Sequence, residues 1–168
     1  MFSFVQLLHI SALINCIRFI VNESPATLST FEQALFGPFT VILQQDIDRT
    51  FGPIYSTNSF IKCNVPEYVP YVFQVLAQML ELHKGDVPAE YRSLLPSLLT
   101  PAVWQQTGSI PGLVKLLRVF LEKDSKQMVS TGQFTSVLAV VQQRLIPSKM
   151  NDAWGFELLQ GVVQNIPP

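Results

Sequence analysis

Apolar residues recur along most of the chain at spacings of three and four, the period that turns one face of an α-helix toward a core. Met1 to Val21 is an apolar run whose only charge is Arg18. After Ser24-Pro25, the string Ser29-Thr30-Phe31-Glu32 has the S-x-x-E form of a capping box and predicts a helix starting near Thr30. That helix carries Phe31, Leu35, Phe39, Ile42 and Leu43 inward to about Gln45, with Gly37-Pro38 as a kink. From Asp46 to Pro66 the period is lost among Asp48, Gly52, Pro53, Ser56, Asn58 and Asn64, which predicts a polar loop. Beyond it, Val69, Val72, Phe73, Leu76 and Leu80 mark one helical face and Tyr71, Val75, Met79 and Leu82 another, so this helix is expected to be buried on two sides.

Gly85 ends that helix, and Asp86 and Pro88 open the next, which spans Val87 to Leu99 with Pro96 expected to bend it. A short turn leads from Thr100-Pro101 to Trp104. Ser109 and Pro111 then start a helix presenting Leu113, Leu117, Phe120 and Leu121, expected to close at Asp124-Ser125. Phe134, Val137, Leu138, Val141 and Leu145 mark a further helix before Pro147. A last one, opened by Asn151-Asp152, presents Phe156, Leu159, Val162 and Val163.

Helix starts after the loop fall about every 21 residues, a pair period of about 42 that lies within the range of HEAT and armadillo arrays. The expected fold is all-α: a HEAT-type solenoid of helical pairs, part of a superhelical arch. Residues 1–45 form a helical pair with an atypical start, 46–66 a polar insertion, and 67–168 HEAT-like repeats. Such pairs contact only their neighbours and carry apolar flanks.

Composition fits this picture. Of 168 residues, 48% are hydrophobic and only 14% charged, and mean hydropathy is +0.30. A charged fraction so far below the roughly 25% of ordinary soluble domains means that apolar faces are covered by more protein or by lipid. Residues 1–21 are long enough to span a bilayer, so an alternative reading is a membrane-anchored helical interaction protein held by that run. Gln6, His9, Ser11 and Asn15 inside the run, and the lack of a basic start or a small-residue cleavage site, argue against it.

Net charge is −1 and the 11 Lys and Arg are scattered, which excludes the basic footprint of a nucleic-acid binder. Cys16 and Cys63 lack metal or redox spacing and read as a buried thiol and a loop thiol. His9 and His83 read as structural, the latter beside Lys84 at a helix C-terminus. Trp104 and Trp154 lie where helices begin and read as plugs between repeats rather than partner anchors. With no phosphate loop, HExxH, GxSxG or tuned carboxylate pair, the sequence implies neither catalytic residues nor a metal or cofactor site, and a protein-binding scaffold rather than an enzyme.

Several strings then carry a family resemblance: Ser24-Pro25-Ala26-Thr27, Phe31-Glu32-Gln33-Ala34-Leu35-Phe36, Ile42-Leu43-Gln44-Gln45-Asp46, Glu67 to Gln74, Leu80-Glu81-Leu82-His83-Lys84, Tyr91-Arg92-Ser93-Leu94, Ile110 to Val114, and Asn151-Asp152 with Gly155-Phe156. In this order they resemble later repeats of the importin-alpha re-exporters, the cellular apoptosis susceptibility exportins of the importin-beta class. The resemblance implies a nuclear-transport scaffold that shuttles between nucleus and cytoplasm, with importin-alpha and GTP-bound Ran as partners of the full-length arch. Family members are several times longer, so this chain supplies a few repeats. The likeness fades upstream of Ile17-Arg18 and is interrupted between Gln45-Asp46 and Glu67, so residues 1–14 and the insertion are expected to be departures from the family pattern. In arches of this class the second helix of each pair usually lines the concave side. This marks Glu90 and Arg92 on the helix Val87 to Leu99, and Gln142 and Arg144 on the helix ending at Ile146, as candidate protein contacts.

Overall fold

The computed structural model describes residues 4–51 and 65–166, with side chains placed for 11–41, 43 and 69–166. Among these residues there are seven α-helices and no strand: α1 (Phe4–Glu23), α2 (Thr27–Phe51), α3 (Val65–Leu82), α4 (Ala89–Leu98), α5 (Ile110–Ser130), α6 (Gln133–Val140) and α7 (Asp152–Asn165). The odd-numbered helices stack in chain order, α1 on α3, α3 on α5 and α5 on α7, while α2 packs on α3 and α6 on α5. This is the layering of tandem helical pairs in a HEAT-type solenoid. α3, α5 and α7 begin at Val65, Ile110 and Asp152, spacings within the roughly 40 to 47 residues of such repeats.

The core lies along the α3–α5 seam. Val69, Val72, Phe73, Leu76, Ala77, Met79 and Leu80 are buried on α3, and Ile110, Leu113, Val114, Leu116, Leu117, Phe120 and Leu121 on α5. α3 is buried on both expected faces, because α1 and α2 cover one side and α5 the other. Gly112 makes the seam close: a Cβ there would stand 2.9 Å from both Phe73 Cβ and the Pro70 carbonyl oxygen.

Several boundaries differ from expectation. The capping box does not form. α2 starts at Thr27, whose amide and hydroxyl both donate to the Ser24 carbonyl. Ser29 Oγ turns back to the Ala26 carbonyl, and Glu32 is drawn away to Tyr91. α2 runs through Gly37-Pro38 and continues to Phe51, past the expected end at Gln45. Glycine before proline removes the Cβ that would crowd the pyrrolidine ring, so helical backbone is tolerated there. The expected insertion at 46–66 is thus helical at 46–51 and again from Val65, and residues 52–64, with Cys63, lie outside the described residues.

α5 passes the expected stop. Asp124 leaves helical geometry (φ −133°, ψ 23°), but the helix resumes to Ser130 because Met128 is fully buried, and Gly132 at φ +73° ends it. α6 passes into a π-turn over Val141–Leu145, with Ile146 N–H donating to the Val141 carbonyl. On α7 the packed face overlaps only in part with the one the apolar period predicts: Val162 and Leu159 turn to the core, but Phe156 and Val163 do not. Leu158 and Val162 are buried beside Gly155 and Gly161, while Phe156 and Val163 are 62% and 79% exposed. Glycines mark that face: at Gly155 a Cβ would meet Ile146 and Leu145, and at Gly161 it would meet Arg118.

Among the described residues no helix is long and apolar enough to cross a membrane, since polar side chains interrupt α1. Ile17 and Val21 are buried in the common core, and Arg18 donates to Gln78 Oε1 at 3.0 Å. Cys16, expected to be buried, is exposed because it lies off the Ile17–Val21 face. Trp104 is 3% exposed and donates its indole N–H to the Leu98 carbonyl at 2.8 Å, closing the turn between α4 and α5 as a plug.

Candidate protein-binding surface

Two polar surfaces emerge from the stacking. One is a charged ladder across the odd-numbered helices. Arg18 on α1 reaches Gln78 and stands 3.9 Å from Glu81 on α3; Lys115 on α5 faces the same Glu81 at 3.9 Å; and Arg118 pairs with Glu157 on α7 at 2.6 Å. A concavity of about 480 Å³ opens beside it, lined by Glu81, Lys115, Arg118, Glu122, Gln164 and Asn165. These pairs are half exposed and contribute at most about 1 kcal/mol each.

The other surface lies on the even-numbered side, where α2, α4 and the end of α3 meet. Glu32 is its centre. Tyr91 Oη donates to Glu32 Oε1 at 3.0 Å, His83 Nε2 stands 3.9 Å from Oε2, and the Phe36 and Tyr91 rings meet edge to face at 5.0 Å. Burial raises the Glu32 carboxyl above its ordinary range, opposed by the Tyr91 hydrogen bond and by His83. Burial, and then the adjacent Glu32 charge, push the Tyr91 hydroxyl far up, so it remains a donor. Lys123 donates to the His83 carbonyl at 2.8 Å and ties the end of α3 to α5. Two cavities flank Glu32, one toward the α1–α2 turn and one toward α4.

All four candidate contacts are exposed on the expected second helices. Glu90 sits in the first turn of α4, where the helix dipole favours a carboxylate. Arg92, two residues on, is committed within the chain: its Nε and Nη2 grip both oxygens of Asp124 at 2.7 and 3.0 Å, clamping α4 onto the break in α5. Gln142 and Arg144 project from the π-turn that follows α6. The Glu32–Tyr91 and Arg118–Glu157 pairs were not readable in the sequence, because the partners lie 59 and 39 residues apart and no local spacing announces them. Among the described residues no three potential ligands gather into a metal site.

Comparison with known proteins fits this architecture. The family described as "CAS/CSE protein, C-terminus" matches residues 4–168, so the likeness extends upstream of Ile17 and takes in most of the expected departure at 1–14. Exportin-2 of Bos taurus and of Homo sapiens are each 41% identical over 154 residues, and Exportin-2 of Danio rerio is 40% identical over 153. In each case 90% of this chain is covered, and the chain spans 14% of the relative's length. A helical-pair array of this register, matched over residues 4–168 by one family, leads to one assignment: the chain belongs to the CAS/CSE family.

Proposed function

We propose that this chain forms part of the binding wall of an export receptor that carries importin-alpha out of the nucleus together with GTP-bound Ran. The receptor shuttles between nucleus and cytoplasm through the pore. The observation that carries this reading is family membership over nearly the whole chain, joined to a stack of helical pairs that exposes both polar and apolar side chains. A wall of this kind binds by many contacts spread over successive helices, not through one deep pocket. Glu90, Arg92, Gln142 and Arg144 are the proposed protein contacts on the even-numbered side, Arg92 through the exposed part of a guanidinium that also grips Asp124. The Ran contact belongs to the longer arch.

The test is capture of purified importin-alpha by the chain, with and without GTP-locked Ran. Capture strengthened by Ran supports the reading; no capture by protein shown to be folded overturns it for this segment. Alanine at Glu90, Gln142 or Arg144 is expected to weaken capture. A change below about 0.5 kcal/mol, the scale of a neutral surface substitution, would remove that residue from the interface.

A further inference from the structure

The cavity between α2 and α4 has a chemistry of its own. It measures about 200 Å³ and is lined by Ser29, Glu32, Gln33 and Phe36 from α2, and by Pro88, Glu90 and Tyr91 at the start of α4. Two carboxylates and two aromatic rings therefore bound one small space. The neighbouring cations are engaged elsewhere: Arg92 grips Asp124 through both nitrogens, and Lys123 donates to the His83 carbonyl. His83 faces Glu32 from the far side, with Lys84, in the second cavity. The helix dipole accounts for a carboxylate at Glu90, but it does not account for a concavity walled by rings beside it.

Aromatic rings and carboxylates that line one cavity suit a cation with an apolar stem, because the ring quadrupole and the carboxylate charge both attract it while the stem covers apolar wall. We propose that this cavity receives a basic side chain, arginine or lysine, presented by the protein partner. Glu90 supplies the exposed charge and the half-buried Phe36 ring the wall, with the buried Tyr91 ring packed edge to face against it. Tyr91 Oη holds Glu32 Oε1 in place, which fixes that carboxylate at the cavity's inner end. This deepens the scaffold reading and rests on it, but a small probe reports on the cavity whether or not importin-alpha is captured.

The experiment titrates the full ¹⁵N-labelled chain at low ionic strength with N-acetyl-arginine methylamide and with its neutral isostere, N-acetyl-citrulline methylamide. Saturating shifts are expected at the amides of Ser29, Gln33, Glu90 and Tyr91, with the arginine probe binding about threefold or more tightly than citrulline. Glu90→Gln should erase most of that preference, and Gln33→Glu, which adds a third carboxylate at the rim, should enlarge it. Both positions are exposed, so the rest of the spectrum should stay unchanged and report an intact fold. Equal affinity for the two probes, or a preference untouched by Glu90→Gln, would overturn the proposal.

Discussion

The seam between α3 and α5 and the outer face of α7 are built from the same kinds of residue, yet one is dry and the other wet. On the seam, Leu76, Leu80, Leu113, Leu117 and Phe120 are fully buried, whereas on α7 Phe156 and Val163 stand in solvent. The difference is one of neighbours. A helix inside a stack is covered on both flanks and contributes its apolar side chains to stability, whereas α7 is covered by α5 and the π-turn on one side and, among the described residues, leaves its other side open. It follows that hydrophobicity in a solenoid measures interface potential, and that position in the stack decides whether the potential is used.

The sharpest way to break the comparison is to empty the seam. Phe120→Ala, at a fully buried position on α5, is expected to cost about 3–5 kcal/mol, read as a fall in denaturation midpoint. Glycines offer a finer contrast. Gly112→Ala forces a methyl group against the Pro70 carbonyl oxygen and Phe73 Cβ at 2.9 Å, and a loss of about 1–3 kcal/mol is expected because backbone cannot yield. In Gly161→Ala on α7 the new Cβ comes tightest to Arg118 Cγ, at 3.3 Å, a flexible stem that can swing aside, and reaches Arg118 Nε and Leu121 Cδ1 only in ordinary contact at 3.6 and 3.8 Å. The gain in helix propensity, about 0.5–1 kcal/mol, should leave that variant near neutral or slightly more stable.

Away from both regions, on α2, lies Glu32, whose half-buried carboxyl is raised above its ordinary value chiefly by desolvation. A raised folded-state value means that the folded protein holds its proton more tightly than the unfolded chain. The contribution is therefore fully present below the unfolded value and lost as pH rises through the folded one. Glu32→Gln keeps the neutral shape, so its stability relative to the parent should improve as pH is raised from about 4.5, as followed by chemical denaturation at several pH values. A relative stability that falls over that range would reverse the assignment. The smallest effect is expected on the wet face. Phe156→Ser with Val163→Thr should change stability within about 0.5 kcal/mol per site while lowering the binding of a dye for apolar surface.

α3 shows how much of the fold is legible in a sequence. Its doubled apolar period called for burial on two faces, and Val69 to Leu80 are buried as that period demands. α7 shows where the same reasoning stops. Counting apolar side chains selected Phe156, Leu159, Val162 and Val163; Val162 is buried and Leu159 packs against the core, but Phe156 and Val163 are exposed, and the rest of the packed face is the one whose glycines let α5 and the π-turn come close. Ser29 and Glu32 make the same point at a helix start. The S-x-x-E spacing is a local preference worth about 1 kcal/mol, and the Ser24 turn and the distant Tyr91 hydroxyl overrode it.

The candidate contacts divide in the same way. Glu90, Gln142 and Arg144 were legible as polar positions on second helices, and they are exposed there. Arg92 was legible as polar but not as paired, since Asp124 lies 32 residues away. The sequence by itself determined the helical class, the repeat length and the family, because each is written in short-range periodicity and in ordered strings along the chain. Only the tertiary structure decided which flank of each helix is covered, which charges are spent within the chain and where α2 and α4 leave a cavity. Those outcomes depend on residues brought together across 30 to 60 positions of sequence, where packing distance and desolvation choose the partner and local spacing has no say.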